Sequence, residues 1–289
     1  LPRVPGGDRV RFGSGLEAVE AHDHSENPDA LDFILRGRAA FRKWPMEESY
    51  AGAIRFFERA LALDPHSVEA QTWSARVLVH RVLRQQTATA GLDIARAAQL
   101  ADEALASSPL NWHAHYVRGQ VLSAQNRCDE AIPEYRRVIT LNRNFQRAYA
   151  NLGWCKFWLG SLDEVIPLQA QAIRAHHADP FLSVLHWRIG VVHLVQSHID
   201  EAIAMLEKSR SINPRLVEAH AYLAATYGLS ERTERAAAEL AEARSLSRDG
   251  RYSSISQLAV AENFGVPKVR AMFERTYLVG LHNAGMSEE

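Results

Sequence analysis

Residues 146–174 read QRAYANLGWCKFWLGSLDEVIPLQAQAIR, and what decides the fold is the spacing of three slim residues within them: Gly153, Val165 twelve positions on, and Ala172 seven further. The same offsets return at Gly119, Ala131 and Val138, at Gly190, Ala202 and Ser209, and at Ala224, Ala236 and Ala243. By subtraction, the first members of these four sets lie 34, 37 and 34 residues apart. Upstream, Gly37, Ala53 and Ala60, and then Ala75, Ala97 and Ala104, extend the columns with wider first gaps of 16 and 22. A small residue recurring once per helix lets two antiparallel helix axes approach closely, while larger side chains three or four positions away close the contact. A unit this short cannot bury its apolar face alone, so the pattern predicts helical hairpins that stack on their neighbours.

Between units stand Asp64-Pro65, Ser108-Pro109, Asp179-Pro180 and Asn213-Pro214. There a capping side chain and a proline are expected to stop one helix and start the next. The 34-residue period, the offset of 12, the large residue four positions after the second column (Phe57, Tyr135, Leu206, Leu240) and the closing Asp-Pro resemble the tetratricopeptide repeat, or TPR. The resemblance runs from Leu31 to Arg248 in six units and implies an all-α, right-handed TPR superhelix of about six hairpins plus C-terminal capping helices. The first two units depart from the pattern, with enlarged turns expected around Lys43-Trp44-Pro45 and from Gln85 to Gly91; the fourth carries three extra residues near His176 and His177. The expected organisation is a linker or extended segment at 1–29, the solenoid at 30–248, and capping helices with a tail at 249–289.

More narrowly, Asn27-Pro28-Asp29-Ala30-Leu31-Asp32 with Leu35-Arg36-Gly37-Arg38, and the tail from Val266-Pro267-Lys268 to Gly285-Met286, are similar to TPR regions of bacterial signalling proteins. In those proteins the region follows a class III adenylate or guanylate cyclase domain, or a winged-helix output domain. That resemblance implies a regulatory arm, or alternatively an excised non-catalytic part of a cyclase.

Lys plus Arg number 33 against 34 Asp plus Glu, so no long-range field draws in nucleic acid or anionic membrane, and neither is expected as a partner. The two cysteines, Cys128 and Cys155, are too few for a disulfide framework and lack zinc-site spacing. A reducing, cytoplasmic setting fits this usage. No apolar run is long enough to span a membrane. The thirteen histidines include His22-Asp23-His24, His113 with His115, and His176-His177, none with the helical spacing and acid of a metalloprotease site. Gly6-Gly7 and Gly13-Ser14-Gly15 lack the Lys-Ser/Thr that follows a phosphate loop. No nucleophile has a base at hand, so neither enzymatic activity nor a cofactor or metal is expected.

In a TPR hairpin the first helix lines the groove with residues one, four and five positions after the column and three before it. These offsets give the partner-binding candidates Tyr116, Gln120, Trp154, Phe157, Trp158, Trp187, Val191 and Leu194, and Arg147 joins them beside the groove. An aromatic trough of this kind marks an interaction surface for a peptide or amphipathic helix. The alternative is that the chain fills the trough itself, with the helix that starts at Pro267 and presents Val269, Met272, Phe273, Thr276, Tyr277, Gly280 and Leu281 on one face. That helix is read as a cap on the last repeat, with partner binding or self-association as the other roles open to it. Arg38, Arg76 and Arg147 fall on or beside the groove in separate units, without the Asn and Lys companions of a carboxylate clamp.

Overall fold

The computed structural model describes residues 27–42, 47–84, 87–175, 181–247, 249–261 and 264–289. Its described residues are helical throughout apart from turns and a single bridge between Ser254 and Ser287. They divide after Asn126 into two compact units.

The first unit comprises α1 (Pro28–Arg42), α2 (Glu47–Leu63), α3 (Val68–Leu83), α4 (Ala90–Ser107) and α5 (Trp112–Ala124). Asn27 caps α1 by accepting from the amides of Asp29 and Ala30 at 3.0 and 3.3 Å, and Pro28 fills the first helical position, where an amide hydrogen has no partner to lose. Ser67 and Asn111 cap α3 and α5 by accepting from Ala70 and Ala114 at 3.3 and 2.8 Å. The caps therefore fall three residues beyond the expected Asp64 and Ser108. Asp64 instead shapes the turn, accepting from the amide of His66 at 3.3 Å. The core of α1 to α3 is Ile34, Tyr50, Ala53, Phe57, Ala60, Ala70 and Val77.

The second unit comprises α6 (Cys128–Leu141), α7 (Gln146–Trp158), a 3-10 turn (Leu162–Glu164), α8 (Val165–Ala175), α9 (Leu182–Val195), α10 (Ile199–Ile212), α11 (Val217–Leu229) and α12 (Thr233–Leu246). There follow a second 3-10 turn (Arg251–Ser253), α13 (Ile255–Ala261) and a terminal rod. The rod is α14 (Pro267–Phe273), a π-helical turn (Glu274–Leu278) and α15 (Val279–Asn283), with helical backbone angles through both junctions.

Every member of the three columns is buried. The reason is visible at Gly190, where an added Cβ would sit 2.6 Å from Cγ of Leu206, the large residue four positions after Ala202. Gly37 lies as closely under the ring of Phe57. In the second unit the turn inside each hairpin recurs seven residues after the column, at Gly160, Ser197 and Glu231, with φ between 59° and 83°, and Asn126 at the same offset also has a positive φ of 61°. In three of them the next amide, of Ser161, His198 or Arg232, reaches back five residues at 2.9 to 3.0 Å, closing the helix with a Schellman bond. Residues 1–26, Lys43-Trp44-Pro45, Gln85, His176-His177 and Asp179-Pro180 lie outside the described residues, and with them the turn and linker expectations placed there.

Candidate functional site

In the second unit the first helices of successive hairpins are α7, α9 and α11, and their shared face carries a ledge of rings. Trp154 stacks on Phe157 at 4.7 Å and meets Trp158 at 5.2 Å and Trp187 at 5.1 Å; Trp187 meets Tyr222 at 5.8 Å. The terminal rod lies on this ledge. Phe273 is stacked on Trp158 at 6.0 Å and set edge-on to Phe157 at 5.9 Å and Tyr222 at 6.4 Å, while Tyr277 stacks on Tyr222 at 4.1 Å. Both anchors are fully buried, so the helix that could fill the trough does fill it.

The seat is shaped for backbone as well as rings. An added Cβ at Gly280 would lie 2.2 Å from the carbonyl oxygen of Ala225, and one at Gly228 would lie 2.2 Å from that of Gly280. Only two residues without side chains allow helices to cross this closely. The amide of Val266 donates to the carbonyl of Trp158 at 3.2 Å, and Asn283 donates to that of Gly228 at 3.3 Å. Beside the rod, Gln196, His198, Met272 and Arg275 line an open cleft of about 430 Å³.

These contacts place the expected candidates. Phe157, Val191 and Leu194 have no exposed surface, whereas Trp154, Trp158, Trp187 and Arg147 are half-buried. At 100° per residue, a position four after the column lies only about 40° round the helix from it, so Phe157 and Leu194 face the neighbouring helices more than the groove. Val191 points toward the face and joins the core that includes Phe273, Tyr277 and Leu281. Arg147 lies over the ring of Phe181 at 4.3 Å. Sequence reasoning passed over Tyr222 and, in the first unit, Trp73, both two residues before the column, a position it did not sample.

In the first unit the corresponding face comes from α1, α3 and α5, and its chemistry differs. The position directly after the column is Arg38, Arg76 and Gln120 here, against Trp154, Val191 and Ala225 in the second unit. The Arg76 guanidinium lies 4.8 Å from Trp73, 5.6 Å from Tyr116 and 5.7 Å from Phe41; that of Arg38 lies 5.2 Å from Trp73 and donates to Glu69 at 2.9 Å. Tyr116 and Gln120 are buried, and Gln120 lies 3.5 Å from His80. His113, edge-on to Trp73 at 4.9 Å, is held well below the usual imidazole range, first by burial and then by the charges of Arg76 and Arg38.

The two free cysteines are buried, and the hydrogen bond between their thiols, followed by burial, pushes Cys128 far up, so little thiolate forms. Burial and the charge of Lys208 lower His186 to about 4. Among the described residues no cluster of three or more His, Cys, Asp or Glu is placed to hold a metal ion, and no helix is long and apolar enough to cross a membrane.

Comparison with known proteins agrees with this geometry. The tetratricopeptide repeat family profile matches residues 88–144 and 116–180. A thermophilic TPR protein of Thermus thermophilus, TTC0263, is 18% identical, covering 68% of this chain and 98% of its own, with a TM-score of 0.55. PilF of Pseudomonas aeruginosa is 15% identical over 86% of this chain and 100% of its own, with a TM-score of 0.56. A crystal structure of the APC/C hetero-tetramer Cut9-Hcn1 superposes with a TM-score of 0.65 at 13% identity, over 90% of this chain and 45% of that one. At these identities the likeness is one of fold. No curated protein sequence matches the chain.

Proposed function

We propose that this chain, a protein built of tetratricopeptide repeats, is a non-catalytic scaffold that holds a segment of a protein partner on the face shared by the first helices of its hairpins. The observation that carries this reading is the seating of the terminal rod. In the second unit that face holds a helix through two stacked aromatic anchors, which is the helix-in-groove mode of recognition carried out within one chain.

Two consequences follow for where a partner binds. On the ledge of Trp154, Trp158 and Trp187, an external helix must displace Phe273 and Tyr277. On the first unit's face, Arg38, Trp73 and Arg76 form the corresponding stack of rings and guanidinium groups. The similarity of Asn27 to Arg38 and of Val266 to Met286 to signalling proteins supports placing the scaffold as the regulatory arm of such a protein.

Affinity capture with the full chain tests the reading. Proteins retained by the wild type should be lost on Arg76→Ala, or on Trp154→Ala with Trp187→Ala, and kept on Arg96→Ala, an exposed change on α4. Equal loss on Arg96→Ala, or none on the face variants, would overturn it.

A further inference from the structure

The terminal rod shows which features a helix needs in order to sit on the second unit's face. Val269, Phe273, Tyr277 and Leu281 follow one another at intervals of four, and none has exposed surface. In an ideal α-helix, at 100° per residue, each such interval drifts about 40° round the axis, so a row of four would wind about 120° away from a straight seat. The π-helical turn Glu274–Leu278 falls between the two aromatic anchors, and its wider i to i+5 bonding takes back part of that drift. Gly280 closes the row at its tightest point, where a Cβ would meet the Ala225 carbonyl oxygen at 2.2 Å. Backbone cannot give way there as the end of a flexible side chain can, so a side chain at this position lifts the helix off α11 and carries its rings away from Trp158 and Tyr222. The opposite side of the rod, with Lys268, Arg270, Ala271 and Glu274, is exposed, so the ledge reads one side of the helix. An open cleft divides Met272, Arg275 and Thr276 from Val195, Gln196 and His198 at the end of α9, giving a displacing helix an edge to enter by.

We propose that the second unit's face binds a partner helix that repeats the rod's own buried row, an aromatic residue, a second aromatic four positions on and glycine three positions after that, and that the rod competes with this helix for the ledge. This rests on the scaffold reading and adds both the class of partner and its regulation. The rod is tethered to the face it covers, at an effective concentration of about millimolar order, so a free helix of the same sequence is kept out until the rod is weakened. A helix that is merely amphipathic fails at the glycine, because its side chain there holds the two backbones apart.

The experiment uses the full chain and three fluorescent synthetic peptides: residues 264–289, the same peptide with Gly280→Leu, and the same peptide with Phe273→Ala and Tyr277→Ala. By anisotropy, the first peptide should bind the full chain carrying Gly280→Ala at least tenfold more tightly than it binds the wild type, because the lifted rod no longer competes. On that chain each altered peptide should bind at least tenfold more weakly than the first. A full chain with Tyr277→Ala alone, whose glycine crossing is unchanged, should also gain affinity for the first peptide, so the test survives if the Gly280→Ala chain folds poorly. Equal binding of the Gly280→Leu peptide, or equal affinity of the wild-type and rod-weakened chains, overturns the inference. So does sedimentation of the wild type as a dimer that the first peptide dissociates, since a second copy's rod would then be the occupant. Loss of the captured partner on Trp154→Ala with Trp187→Ala would still support the scaffold, while its retention there and on Arg76→Ala would remove both.

Discussion

Single residues set how closely helices approach, and two glycines make the point in opposite senses. At Gly280 a methyl group would meet the Ala225 carbonyl oxygen at 2.2 Å, so Gly280→Ala should force the rod off α11 and cost about 1–3 kcal/mol or more in denaturant unfolding. At Gly52, inside α2, nothing lies within 4 Å, so Gly52→Ala should gain about 0.5–1 kcal/mol by the same assay, through lower backbone entropy in the unfolded chain. His220 supplies a pH signature. Its two ring nitrogens face Glu239 Oε2 at 2.6 Å and the Pro214 carbonyl at 2.8 Å, two acceptors that only an imidazolium satisfies as a double donor. Burial alone would lower its pKa, but these hydrogen bonds outweigh it, and the folded value is raised. A raised folded value means the stabilisation is full below the unfolded pKa of about 6.5 and is lost as pH rises through the folded one. The melting-temperature gap between wild type and His220→Gln should therefore narrow from pH 6 to pH 9; a gap that widens would contradict the assignment.

At the scale of the element, the hairpins were legible because their signal is periodic and redundant: three columns in phase mark where each helix touches the next, and all three are buried. The turns were less legible. Their left-handed residue is Gly160 in one hairpin but Ser197 and Glu231 in the others, so no residue type marks the position and only the offset from the column does. Ser197→Gly should relieve that strain and raise stability by up to about 1 kcal/mol, read by thermal melting. The groove was legible in part. The register found Trp154, Trp158 and Trp187 together and offered the helix from Pro267 as one filler of the trough, yet it could not choose that helix over an external one, because docking depends on contacts between residues far apart in the chain, such as Trp158 with Phe273 and Tyr222 with Tyr277. Phe273→Ala should cost about 3–5 kcal/mol, as expected for emptying a buried ring site, and shift tryptophan emission to the red as the ledge meets water. Unchanged emission would mean that the ledge is shielded by something else.

Across the whole molecule, stacked repeats respond to damage locally, since each contacts chiefly its neighbours. Hydrogen exchange on the Phe273→Ala variant should show faster exchange in α9, α11 and α15, with α1 to α3 as protected as in the wild type. The two units also divide the chemistry. One carries arginines stacked on rings and the other an apolar ledge.

The rod is made by the ribosome only after every hairpin it rests on. Phe273 and Tyr277 therefore close over the ledge only after its three helices have been made.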